Sequence, residues 1–153
     1  MEPAMSSERY WEDFAVGQTF ESGTVMLTTD EIIAFASQFD PQPFHTNPAA
    51  AEGTFFGGLV ASGWHTAAVT MRLLVQSDLR VAGGLVGGGL DEVRWPKPVW
   101  PGDTLHVGLE VVETRPLKSR PERGIVRIKV QTFNQNNEPV QSFIANVLVP
   151  RRR

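Results

Sequence analysis

Residues 59–76, "LVASGWHTAAVTMRLLVQ", carry the strongest constraint in the chain, because their apolar side chains fall almost all round a helical wheel. A water-soluble helix of that kind must be enclosed by other structure. The segment is therefore expected to be the centre of the fold, and what surrounds it must come from the rest of the 153 residues. A chain of that length fits one domain that buries roughly two-thirds of its unfolded surface.

The enclosing material reads as strand. Val126, Ile128 and Val130 alternate with Arg127, Lys129 and Gln131, and Leu105, Val107, Leu109 and Val111 repeat the same period of two. Such strands have one face in the core and one in water. "GLVGGGLDEVRW" and "VQSFIANVLV" are two more, and "TFESGTVML" at 19–27 is an earlier one, with Gly23 at a bulge. "NQNNE" at 134–138 supplies a hairpin turn, "RPLKSRPERG" at 115–124 a longer basic loop, and "PKPVWPGD" at 96–103 connects another strand pair. Short links between consecutive strands favour an antiparallel sheet, so the expected class is α+β, a sheet wrapped around one long helix. Residues 1–7 read as a flexible terminus, 8–150 as the domain and 151–153 as a basic tail.

Several functional classes are disfavoured. A net charge of −3 provides no general attraction for nucleic acid or anionic membrane. The absence of Cys removes thiolate nucleophiles and Cys-ligated metals, and three scattered His make no zinc spacing. "GGLVGGG" at 83–89 lacks both the strand-to-helix setting and the Lys of a phosphate loop. "MEPAMSSERYWEDF" lacks the basic-then-apolar order of a secretory signal, and no apolar run reaches ~18 residues, so the expected location is cytoplasmic.

A second helix is expected in "TTDEIIAFASQF", where Thr28 and Glu31 fit a capping box and Ile32, Phe35, Ala36 and Phe39 share a face. Asp40 then emerges at its C-terminus and opens "DPQPFHTNP". Within a straight helix Asp40 and His45 would lie about 140° apart, and on a strand they would occupy opposite faces. They converge only if the backbone bends between them, and Pro41 and Pro43 make such a bend stiff. Taken alone, an Asp that stops a helix and a His in a loop are also ordinary structural features. Gly63 likewise reads either as a close approach to a ligand or as tight helix packing.

"FDPQPFHTNP" followed by "FFGGLVASGWHTAAV" resembles the hydratase signature of MaoC-like dehydratases and (R)-specific enoyl-CoA hydratases, which have the hot-dog fold. Asp40, Pro43, Phe44, His45, Pro48 and Gly63 match at the family's spacing, and the resemblance runs through "DEVRWPKPVWPGDTL" over roughly residues 10–150. Gln42 stands where Asn is commoner, Asn47 where Asp is commoner, and Ser62 where a His often precedes the Gly. The resemblance implies reversible hydration of a trans-2-enoyl thioester to the (R)-3-hydroxyacyl form, without cofactor or metal. Asp40 and His45 would activate water, the Gly63 amide would stabilise the enolate oxygen, and Ser62 would assist substrate binding. Gln42, Pro43, Phe44 and Asn47 would support the loop.

It further implies a homodimer acting on acyl-CoA or an acyl carrier thioester. Arg94, Lys97, Lys118, Arg120 and Arg123 are candidates for the CoA phosphates. A hot-dog thioesterase and a non-catalytic acyl-CoA-binding subunit are the alternatives. His65 is expected as a hydrogen-bonded core or rim residue, and His106 as facing away from the core.

Overall fold

The computed structural model describes residues 7–152, so of the expected loose terminus only the exposed Ser7 can be placed, the rest lying outside the described residues. A 3-10 turn, Trp11–Asp13, precedes β1 (Thr19–Met26), α1 (Thr29–Phe39), α2 (Pro43–Thr46), α3 (Pro48–Ala51) and α4 (Gly63–Val75). Four strands complete the chain: β2 (Val86–Arg94), β3 (Thr104–Pro116), β4 (Arg123–Phe133) and β5 (Pro139–Pro150). They form one antiparallel sheet in the order β1-β3-β4-β5-β2. Among the described residues no helix is long and apolar enough to cross a membrane.

The period-two pattern has the expected outcome. Val107, Leu109 and Val111 of β3 and Val126, Ile128 and Val130 of β4 are all buried on one face, against Leu73 and Leu74 of α4, and Leu105 is buried against Ala61 and Val99. His106, on the opposite face of β3, is half-buried and stacks on Phe133 across the strand pair, with ring centres 5.3 Å apart. The pairing of β1 with β3 slips between Glu21 and Thr24, which is the bulge expected at Gly23. α1 starts with the expected box: the Thr28 hydroxyl accepts from the Glu31 amide, and the Glu31 carboxylate accepts from the Thr28 amide. Its apolar face buries Ile32 and Ala36, while Phe39, on the last turn, is exposed.

Three features differ from expectation. The central helix begins at Gly63, because residues 59–62 are extended: the Val60 amide donates to the Phe44 carbonyl at 3.0 Å and the Ala61 amide to the Val99 carbonyl at 2.8 Å. Nor do the described residues of one chain enclose the helix. Trp64, Met71 and Val75, which share a stripe, are 63%, 47% and 57% exposed. Finally, β2 pairs with β5 and not with β3, so the proline-rich 96–103 link is a crossover past the ends of β4 and β5. It is held by the buried Val99 and by Asp103, whose carboxylate accepts from the Trp100 amide at 2.9 Å.

The basic C-terminus is docked rather than free. The Arg151 amide donates to the Glu122 carbonyl, its guanidinium lies 4.9 Å over the Trp11 ring, and Arg152 pairs with Asp13; Arg153 lies outside the described residues. Trp11 itself packs on β4, donating its indole N–H to the Ile125 carbonyl at 3.2 Å. There it covers Gly124 so closely that a Cβ would come within 2.3 Å of the indole. Gly124→Ala must therefore expel the indole, and overpacking of this kind costs about 1–3 kcal/mol. Urea unfolding is expected to show that loss; an unchanged midpoint would contradict the packing described.

Candidate active site

Beyond the stiff bend that its prolines imply, the proline segment forms two single-turn helices, α2 and α3, each with Pro at its first position. Proline is favoured there because its missing N–H has no helical acceptor and its φ is already set. The residues before the prolines are extended, Gln42 at φ −106°, ψ 146° and Asn47 at φ −137°, ψ 104°. The expected bend thus falls between Asp40 and Pro43. Asn47 caps α3, its side-chain oxygen accepting from the Ala50 amide at 3.1 Å. Phe44 packs edge-on against His45 and against Phe56, with ring centres 4.5 and 5.3 Å apart.

This bend brings the two ionisable groups together: His45 Nε2 lies 3.3 Å from Asp40 Oδ2. The other imidazole nitrogen, Nδ1, is 2.7 Å from the Val60 carbonyl oxygen. A carbonyl only accepts, so Nδ1 carries a proton, and whenever the imidazole is in its neutral form Nε2 is its lone pair. In that form Nε2 and the Asp40 carboxylate are two adjacent acceptors, to which one water molecule can donate; in the protonated form Nε2 faces the carboxylate as an ion-pair partner.

Asp40 is held from two further sides. Its Oδ1 accepts from the Gln42 amide nitrogen at 2.6 Å and its Oδ2 from the Ser62 hydroxyl at 2.7 Å. Burial acts to raise its pKa, but the bonds from Gln42 and Ser62 and the charge of His45 outweigh it, so the carboxyl titrates below its ordinary value of 3.8. Ser62 is fully buried at the N-cap of α4, where its oxygen also accepts from the Trp64 amide at 3.2 Å. It therefore grips Asp40 and caps a helix, and does not line the cavity where the expected substrate contact would be made.

The cavity occupies about 450 Å³ and is lined by Asp40, His45, Phe56, Val60, Gly63, Trp64, Thr66, Trp95 and Lys97, among others. At the start of α4 the Trp64 amide is bonded to the Ser62 hydroxyl, and the His65 and Thr66 amides to the Ser62 carbonyl. Among the described residues the Gly63 amide has no acceptor, as a first-turn N–H need not. Gly63 also has a packing role, because a Cβ would lie 2.7 Å from the Trp95 indole. Both readings of this glycine thus have a physical basis, and its packing partner is Trp95 at the end of β2.

Of the five basic candidates, only Lys97 lines the cavity; it is paired with Glu138. Lys118, Arg120 and Arg123 lie around the β3–β4 turn, about 35 Å along the strands from His106, whose neighbour Leu105 packs with Ala61 and Val99 beside the cavity. His65 is buried and stacks on Phe35 at 4.6 Å, but among the described residues its Nδ1 has no hydrogen-bond partner, contrary to expectation. Burial lowers its pKa, against the opposing charge of Glu31. Among the described residues no group of three or more His, Asp or Glu could hold a metal ion. No sequence pattern marks Trp95 or Val60 as part of this site. Val60 acts through its backbone, and nothing in the order of residues pairs Trp95 with Gly63.

A five-stranded antiparallel sheet curled on one helix, with an Asp–His pair at that helix's N-terminus, defines a hot-dog domain of the hydratase and dehydratase class. A MaoC-like domain model matches residues 13–133, and the chain belongs to that family. It is similar to the MaoC-like dehydratase of Rhodospirillum rubrum, with 51% identity, 95% of this chain and 99% of that one covered, and a TM-score of 0.90. It is also similar to an R-hydratase of Pseudomonas aeruginosa, with 27% identity, coverage of 94% and 86%, and a TM-score of 0.72. The uncharacterized protein YdeM of Bacillus subtilis is 31% identical over 140 residues, 92% of this chain and 98% of that protein.

Because the folded pKa of Asp40 is depressed, its ionised form stabilises the protein above the ordinary carboxyl value, and that contribution is lost as pH falls through the lower folded value. Carbon-13 titration of the carboxyl groups is expected to place Asp40 below 3.8, and to move it upward in Ser62→Ala and again in Gln42→Leu. A titration unmoved by either substitution would remove these bonds as the cause.

Proposed function

We propose that the protein hydrates trans-2-enoyl thioesters, of CoA or an acyl carrier protein, to the (R)-3-hydroxyacyl form. The observation that carries this reading is the 3.3 Å approach of Asp40 Oδ2 and His45 Nε2, with the imidazole oriented by Val60. A water held by both acceptors adds its oxygen to C3 of the enoyl group and gives up one proton to the Asp40–His45 pair. Charge moving onto the thioester oxygen is met by the Gly63 N–H and the positive end of α4. The pair then returns the proton to C2, so that one water is added in all. Gln42 and Ser62 keep Asp40 ionised throughout, and the reaction takes no cofactor beyond the thioester itself.

General acid–base groups contribute typically ~10²–10⁴-fold. With crotonyl-CoA as substrate, Asp40→Asn and His45→Ala are each expected to slow the loss of conjugated absorbance by at least about 100-fold while circular dichroism stays unchanged. Full hydration by either variant would overturn the assignment, and release of free thiol in place of hydration would make the protein a thioesterase.

The stripe of Trp64, Met71 and Val75 on α4, together with Leu90 of the edge strand β2, leaves an apolar surface that a single chain does not cover. A second copy covering that surface would enclose α4 as its all-round apolar sequence requires. Sedimentation equilibrium is expected to give the mass of two chains, and Met71→Glu combined with Leu90→Glu to shift it toward one. A monomeric wild-type protein at micromolar concentration would refute this assembly.

A further inference from the structure

We infer that Trp95 sets the length of acyl group the cavity accepts, an inference that rests on the proposed thioester chemistry. The indole is fixed by a relay of uncharged side chains reaching into the core. Its N–H donates to Gln141 Oε1 at 2.8 Å, the Gln141 amide nitrogen donates to Thr70 Oγ1 at 2.9 Å, and Thr70 Oγ1 lies 2.6 Å from Thr132 Oγ1. Gln141, Thr70 and Thr132 are fully buried. Buried polar side chains are tolerated when every member is bonded. Apolar residues would fill the same space without that requirement, and the exposed end of the relay is Trp95.

The position of the indole explains what the relay holds. It rests on Gly63, with three of its carbons within 3.0 Å of where a Cβ would stand, and meets Trp64 edge-on at 5.5 Å. Through Gln141 it is tied to Thr70, seven residues and about 10 Å further along α4. An acyl group with its carbonyl oxygen at the Gly63 amide and its chain passing Thr66 would continue into the space between α4 and the sheet. Gln141, Thr70 and Thr132 occupy that space, with Trp95 in front of them. The wall stops the chain a few carbons beyond the reacting double bond, so short acyl thioesters are the preferred class.

The test compares wild type, Trp95→Ala, Trp95→Phe and Gln141→Leu. The saturated thioesters butyryl-, hexanoyl- and octanoyl-CoA bind without reacting, so affinity by calorimetry is read independently of turnover. Burying one more methylene is worth about fourfold in affinity. Wild type is expected to gain nothing from butyryl to octanoyl. Trp95→Ala is expected to raise the octanoyl-to-butyryl affinity ratio by at least about tenfold, Trp95→Phe to keep most of the wild-type ratio, and Gln141→Leu to move it in the same direction by less. A purely structural role would lower all affinities together and leave the ratio alone. Should Trp95→Ala fail to fold, Gln141→Leu decides. Unchanged ratios in both Trp95→Ala and Gln141→Leu, or a wild type that already prefers octanoyl-CoA, overturn the inference alone. No binding of any acyl thioester to wild type, whether carried by CoA or by an acyl carrier protein, would instead remove the thioester reading, and this inference with it.

Discussion

Val60 is joined to the proline segment through both of its backbone polar groups: its N–H donates to Phe44, and its carbonyl accepts from His45. That double attachment keeps residues 59–62 out of the helix and decides where α4 begins. It also fixes which imidazole nitrogen carries the proton, and so turns Nε2 toward Asp40. Two residues further on, Ser62 caps the helix and reaches Asp40, so a single extended stretch sets the tautomer of the histidine, the charge of the carboxylate and the position of the Gly63 amide. Loops that carry function in this way depend on being bonded to rigid elements on both sides.

The electrostatics of the pair follow from a contest between burial and hydrogen bonding. A carboxylate at the C-terminus of α1 faces the negative end of that helix, which opposes its ionisation. Two donors and a neighbouring imidazole reverse the balance. Asp40 is therefore a weak base and a dependable hydrogen-bond acceptor. Departures from the usual signature lose little here: Gln42 reaches Asp40 with its amide, Asn47 caps its helix, and Ser62 supplies the hydroxyl that holds the carboxylate.

Gly63 illustrates how one residue can satisfy two demands. Its missing side chain makes room for the Trp95 indole, and its backbone N–H has no acceptor among the described residues at the cavity. The crossover that follows Trp95 supplies much of the facing wall, including Lys97 and Val99. Crossing past the ends of β4 and β5 brings that wall to the helix N-terminus, whereas a direct β2–β3 hairpin would have left the cavity open on one side.

Periodicity and capping chemistry are local properties. The sequence by itself therefore determined the alternating strands, the capped α1, the class of fold and the stiff proline segment between Asp40 and His45, while their meeting was implied only by the family resemblance. Even the all-round apolar character of residues 59–76 was legible, although its meaning within one chain was not, since Trp64, Met71 and Val75 remain uncovered. Only the tertiary structure decided the strand order, the two single-turn helices, the late start of α4, the caps made by Ser62 and Asn47, and the place of Trp95 against Gly63. These depend on groups far apart in the chain, as Thr70 and Gln141 are at 71 residues, or on backbone carbonyls that every residue has. A carbonyl such as that of Val60 carries no side-chain identity, so its role appears only when folding brings an imidazole within hydrogen-bond distance of it.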